Sequence, residues 1–207
     1  MFWRSTLWSE VRGWSVGYDG FVSYSHAADG LLAPRLQQAM ARFAKPWWRR
    51  RALSIFRDET GLSANPHLWS SIVTALDESR FFILLASPDS AASEWVGREI
   101  EHWVEHHGGE QILVVVVVTD GDWVWDAAVG DIDLAASTAA HPRLQGVFAS
   151  EPRHVDLIWA RTERQVDHRD GRFRDAVADL AAPLHGKGPR DLVETCRGHS
   201  RRLVADL

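Results

Sequence analysis

Short apolar runs alternate along this chain with segments in which apolar positions recur every three or four residues. Gly20-Phe21-Val22-Ser23-Tyr24-Ser25 is β-branched and aromatic and is broken by His26-Ala27-Ala28-Asp29-Gly30, so it reads as a strand and its loop. Over residues 31–44, Leu32, Leu36, Ala39, Met40 and Phe43 fall on one face of a helix that Pro46 ends. Ala52-Leu53-Ser54-Ile55-Phe56 predicts a second strand, residues 57–66 a polar loop, and Trp69, Ile72, Val73 and Leu76 the inner face of a second helix. Residues 81–87 are apolar almost throughout, as a strand covered on both faces should be. A helix over 91–107, a buried strand over 112–118, an irregular stretch over 122–152 with room for short helices, a strand over 155–159 and a helix over 173–184 complete the pattern. Five strands separated by helical segments predict an α/β fold, an open parallel sheet with helices on both faces, because parallel neighbours need long crossovers. Ligands of such sheets sit beyond the carboxyl ends of the strands, which selects the loops after Tyr24, Phe56, Ser87 and Val118.

Composition narrows the class. The 207 residues suffice for one decorated domain, here residues 18–185, with an extension over 1–17 and a docked tail or linker over 186–207. With 45% hydrophobic and 25% charged residues the chain is composed like a globular protein, and a net charge of -5 disfavours nucleic acid as a partner. The single cysteine, Cys196, permits no internal disulfide and fits a reducing cytoplasm. The first ten residues lack the apolar region of a signal peptide, and residues 112–118 fall far short of the roughly 20 a membrane helix needs. No contact with a membrane is expected of this chain.

Five segments in sequence carry a resemblance: Phe21-Val22-Ser23-Tyr24-Ser25; Phe56-Arg57-Asp58; Trp69-Ser70-Ser71-Ile72-Val73-Thr74-Ala75-Leu76; Leu84-Leu85-Ala86-Ser87-Pro88; and Ser93-Glu94-Trp95 followed by Glu99. In order and spacing over residues 20–119 the chain resembles Toll/interleukin-1 receptor (TIR) domains of the bacterial type, above all those that begin actinobacterial multidomain proteins. The resemblance implies a flavodoxin-like five-stranded sheet, further domains in a longer parent protein, and one of two activities. One is cleavage of NAD at the nicotinamide–ribose bond, switched on by self-association in bacterial defence or cell-death signalling, with NAD as substrate and no prosthetic group. The other is a non-catalytic scaffold working through TIR–TIR contact. The segment Lys45-Pro46-Trp47-Trp48-Arg49-Arg50-Arg51 and the long stretch after Val118 depart from the minimal family pattern.

Projected at about 100° per residue, the helix carrying Glu99 shows an apolar stripe of Val96, Ile100, Trp103 and Val104 and an acidic one of Glu94, Glu101 and Glu105 with Arg98. Trp95, Glu99, His102 and His106 fall on the edge between them. A carboxylate at such an edge suits the cleavage the resemblance implies. Nicotinamide leaves as a neutral pyridine, the ribose becomes oxocarbenium-like, and a fixed anion favours that transition state without a separate acid. The plainer alternative is a capping or ion-pairing glutamate held by Arg98 or His102. Trp95 could stack on a ring or simply pack in the core. Tyr24, Ser25 and His26 could bind ribose or phosphate oxygens or merely shape a loop. Asp58 opens the loop that, by resemblance, gates the site and meets a neighbouring subunit; its plain role is turn formation. His102, His106 and His107 lack the His-Glu-x-x-His pattern and cysteine partners, so no metal is expected. Trp47-Trp48-Arg49-Arg50-Arg51 on an acidic chain reads as a protein interface or a solvated ridge. A phosphoacceptor receiver would need an acidic pair after the first strand, where this chain has Tyr24-Ser25-His26.

Overall fold

A computed structural model describes residues 17–43, 53–57, 68–107, 114–152, 154–163 and 170–185. Five strands, β1 (Gly20–Ser23), β2 (Ile55–Arg57), β3 (Phe82–Ala86), β4 (Val114–Val118) and a C-terminal strand (His154–Asp156), form one all-parallel sheet. The spatial order is β2-β1-β3-β4 with the C-terminal strand last. Before that last strand, β5 (Trp125–Asp126) and β6 (Asp131–Ile132) make a small antiparallel hairpin, so the C-terminal strand is β7. The helices are α1 (His26–Asp29), α2 (Leu32–Arg42), α3 (Leu68–Asp77), α4 (Pro88–Ala91), α5 (Glu94–His107), α6 (Ile158–Thr162) and α7 (Gly171–His185), with a 3-10 turn at Pro142–Leu144.

Strand alternation divides the core in two. Val22, Tyr24, Ile83, Leu85 and Val117 point to the face covered by Leu32, Leu36 and Met40 of α2 and by Phe173, Val177, Leu180 and Leu184 of α7. Phe21, Phe82, Leu84, Val116 and Val118 point to the other face, against Ile72 and Leu76 of α3 and Val96, Ile100 and Trp103 of α5. The strand order reverses between β1 and β3, where the connections leave for opposite faces of the sheet. This is the switch point at which such sheets open a crevice beyond their carboxyl ends.

Several boundaries differ from the sequence pattern. The second strand is Ile55–Arg57, displaced toward the C-terminus from the expected 52–56, and α2 ends at Arg42, with Phe43 already extended. The helix expected over 91–107 is two helices. Ser87 and Ser90 form a reciprocal capping box that starts α4 with Pro88 in its first turn, and Ser93 then begins α5, its hydroxyl accepting from the Val96 amide at 3.4 Å. The expected strand over 155–159 is cut short. The Asp156 carboxylate accepts from the Ile158 amide at 2.9 Å, and Ile158 and Trp159 turn into α6. The stretch over 122–152 holds β5, β6 and the 3-10 turn, and its Ile132, Leu144 and Phe148 extend the core beside α5. Residues 1–16, 44–52 and 186–207 lie outside the described residues, and with them the Trp47-Trp48-Arg49 segment and the tail.

Candidate active site

Ser23 is the last residue of β1 and, two residues after Phe21, shares its face of the sheet. Directly across lies Glu99, among the buried residues of α5 between Val96 and Trp103, and only 7% exposed. The Ser23 hydroxyl donates to Glu99 Oε2 at 2.5 Å. A buried carboxylate is tolerated only where donors meet it, and a hydroxyl donating to an ionised oxygen is among the stronger hydrogen bonds. Glu99 is therefore deeper than the edge position that helical projection gives it, because the end of β1 lies beneath it.

The partners of the plainer reading are occupied elsewhere. The Arg98 guanidinium lies 4.0 Å from the ring centroid of Trp69 and 5.0 Å from that of Trp95. His102 Nε2 is 2.7 Å from Asp77 Oδ1. Trp95, one turn before Glu99, is 39% exposed, a surface indole and not a core residue, with Trp69 at 6.1 Å between centroids.

The other expected site residues are placed less uniformly. Tyr24 points to the opposite face of the sheet from Glu99, where its hydroxyl accepts from Arg57 Nη1 at 2.9 Å and its ring lies 4.6 Å from that of His26. Strand alternation is the reason: Tyr24 follows Ser23, and consecutive strand residues point to opposite faces. Ser25 is the N-terminal flank of α1 with no side-chain capping bond, and His26 is exposed. His26 lines a cavity of about 510 Å³ between α1, α2 and α6, together with Arg35, Arg161 and Glu163; Glu99 is not part of that wall. Asp58 falls in residues 58–67, outside the described residues. His106 stacks on His102 at 4.0 Å and His107 on Trp103 at 3.9 Å. Among the described residues no group of three or more His, Cys, Asp or Glu is placed to hold a metal.

Two further features escaped the sequence pattern. Asp29, the last residue of α1, is fully buried, and neither carboxylate oxygen closes a sound hydrogen bond among the described residues. Burial pushes this carboxyl up to about 6; the facing Thr119 hydroxyl, the charge of Arg161 and the Ser87 hydroxyl oppose the rise, and Asp120 adds to it. The second feature is a strap. His141 and Arg143 lie over Gly97, where an added Cβ would stand 2.1 Å from Arg143 Nη1 and 2.8 Å from the His141 ring. Arg143 reaches Glu94 at 2.8 Å and Glu101 at 3.2 Å, which holds the Glu94 carboxyl below its usual range. Burial holds the His141 imidazole below the ordinary histidine value, and its Nδ1 accepts from the Arg143 amide at 3.1 Å. The strap thus clamps the first turns of α5, the helix that carries Glu99.

An all-parallel five-stranded sheet with a buried glutamate on α5 at the switch point defines a class, and the TIR domain family model matches residues 21–145. The chain belongs to the TIR domain family. It is 59% identical over 175 residues to the NAD(+) hydrolase ApTIR of an Actinoplanes species, a match that takes in 84% of this chain and 24% of that protein. The chain therefore spans about a quarter of its relative's length. The TIR domains in a structure of the activated Roq1 resistosome directly recognizing the pathogen effector XopQ are also similar, at 26% identity and a TM-score of 0.41, over 51% of this chain and 59% of that one.

Proposed function

We propose that this TIR domain, taken as residues 18–185, hydrolyses or cyclises NAD at the nicotinamide–ribose bond, with Glu99 as the catalytic residue. The observation that carries the reading is the buried Glu99 carboxylate, fixed by Ser23 at the mouth of the switch-point crevice. The similarity to an NAD(+) hydrolase supports it.

In this scheme the bond between the pyridine nitrogen and the ribose C1′ breaks, and its electron pair returns to the ring, which leaves as neutral nicotinamide. Positive charge grows on C1′ and its ring oxygen. Glu99 faces that charge with an anion already desolvated and positioned, so little reorganisation is needed at the transition state. Water then bonds to C1′ and passes its proton through the carboxylate to solvent, giving ADP-ribose; attack by a nitrogen of the substrate's own adenine gives the cyclic product instead. Trp95 supplies an exposed ring face for stacking. Ser25, His26 and Asp58 complete the binding set, and Tyr24 shapes their loop from the far face of the sheet.

NAD is the substrate in this reading and no prosthetic group takes part. The domain works in the cytoplasm, by self-association with like TIR domains, in bacterial defence or cell-death signalling; nucleic acid and membrane are not partners. Among the described residues no helix is long and apolar enough to cross a membrane. Purified chain, free and clustered on a multivalent support, is to be incubated with NAD and nicotinamide release followed. Release by the wild type and its loss in a folded Glu99→Ala variant are expected. A folded variant that releases nicotinamide at the wild-type rate would refute the site.

A further inference from the structure

Arg98 is the residue before Glu99, and like Arg172 over Trp159 its guanidinium lies against an indole. The guanidinium lies over two indoles, 4.0 Å from Trp69 and 5.0 Å from Trp95, and the side chain is half-buried. Among the described residues it has no hydrogen bond and no ion pair, whereas Arg57, Arg80, Arg143 and Arg161 each engage a polar or acidic partner. The two ring centroids are themselves 6.1 Å apart, so the indoles flank the guanidinium from adjacent sides, and its N–H donors meet no hydrogen-bond acceptor among the described residues. Two rings also hold the planar group in place, so less side-chain entropy is lost when those donors meet a ligand. The result is a preorganised cation beside the crevice of an acidic chain, with its net charge of -5.

A dinucleotide brings a matching need. Its diphosphate carries two negative charges, and the loop after β1 offers only Ser25 and His26 for them, with no arginine or lysine from Ser25 to Gly30. Trp95 lies three residues before Arg98 and four before Glu99, so one exposed indole neighbours both side chains on the helix surface. A substrate stacked on Trp95 with its glycosidic bond at Glu99 therefore has its phosphates within the zone Arg98 serves.

We propose that Arg98, held beside Trp69 and Trp95, is the residue that binds the diphosphate of the dinucleotide substrate. The inference rests on the reading of the site as one for NAD. Trp69 is the second residue of α3, so the contact also ties the start of that helix to the substrate's anionic centre.

The test measures binding and turnover separately. Calorimetric titration with ADP-ribose, which keeps the diphosphate and lacks the leaving group, is compared with titration by adenosine, which has no phosphate. In Arg98→Gln, affinity for ADP-ribose is expected to fall about ten- to a hundredfold, the range of a charge-assisted hydrogen bond. Affinity for adenosine changes several-fold less, and Arg98→Lys, which keeps the charge without the fork, recovers part of the loss. In turnover, the Arg98→Gln defect is expected in KM for NAD more than in kcat. Equal losses on ADP-ribose and adenosine would overturn the inference and assign Arg98 to the packing of α3 on α5, as would ADP-ribose binding unaffected by the substitution or absent from the wild type. A wild type that binds ADP-ribose through Arg98 yet never cleaves NAD would instead refute the catalytic reading and leave the diphosphate site standing.

Discussion

At 7% exposure the Glu99 carboxylate needs donors, and the Ser23 hydroxyl is one of them. Removing that hydroxyl leaves a buried carboxyl oxygen with one donor fewer and the side chain less well aimed. Ser23→Ala is expected to lower stability by about 1–3 kcal/mol and to reduce kcat for NAD more than it raises KM; denaturant melts and steady-state kinetics measure the two. Ser23 was not legible as a site residue, because a serine in a strand motif advertises nothing chemical. The only signal was positional: it shares a face with Phe21, and Glu99 is the polar residue among the apolar rows of the helix opposite. Asp29 makes the second prediction at this scale. Its folded value of about 6 stands above the ordinary 3.8, so the protonated form is favoured in the fold. The associated stability is fully present below about pH 3.8 and is lost as pH rises through about 6. Asp29→Asn should therefore be more stable than the wild type by up to roughly 3 kcal/mol above pH 7, with the two curves converging toward pH 4. Parallel melts across pH 4–8 check this, and a constant offset would show that Asp29 is not the titrating group.

At the scale of elements, α5 is held by a strap that crosses it at Gly97. Glycine is required there by contact, not by backbone angle. Gly97→Ala sets a methyl against the buried His141 ring and the Arg143 guanidinium, so a loss of about 1–3 kcal/mol in denaturant unfolding is expected, with a fall in activity as α5 shifts. Replacing Arg143, whose partners Glu94 and Glu101 are well exposed, should matter far less. The helices and central strands were readable from periodicity because their apolar spacing is long and regular, as in Leu32, Leu36 and Met40. Ile158 and Trp159 were misread because the five residues 155–159, apolar but for Asp156, are too few to show a period, and the Asp156 turn that bends them into α6 is a side-chain contact invisible to pattern. The strap was unreadable for a related reason: His141 and Arg143 meet α5 some 40 residues earlier in the chain, through contacts that leave no spacing signature.

For the whole molecule, the alternation of strand and helix fixed the class, and the parallel order β2-β1-β3-β4-β7 follows from crossovers on both faces. That order puts the crevice between β1 and β3, where Ser23, the loop to Asp29, and Ser87 all lie, and two of the four strand-end loops that the sequence pattern selected, those after Tyr24 and Ser87, border it. The assignment of side chains to faces was only partly legible. Tyr24 and Glu99 are served by opposite sides of one sheet, and a motif written along a strand conceals that division. The central claim is that a buried, ionised Glu99 supplies the electrostatic stabilisation for NAD cleavage. Glu99→Gln keeps the volume and an oxygen that can accept from Ser23 while removing the charge. Chromatography of NAD and its products under clustering conditions tests this most directly. The account predicts that Glu99→Gln folds, binds NAD within a few-fold of the wild type, and loses nicotinamide release by a factor on the order of 100 or more. A folded Glu99→Gln protein that turns NAD over at the wild-type rate would contradict it.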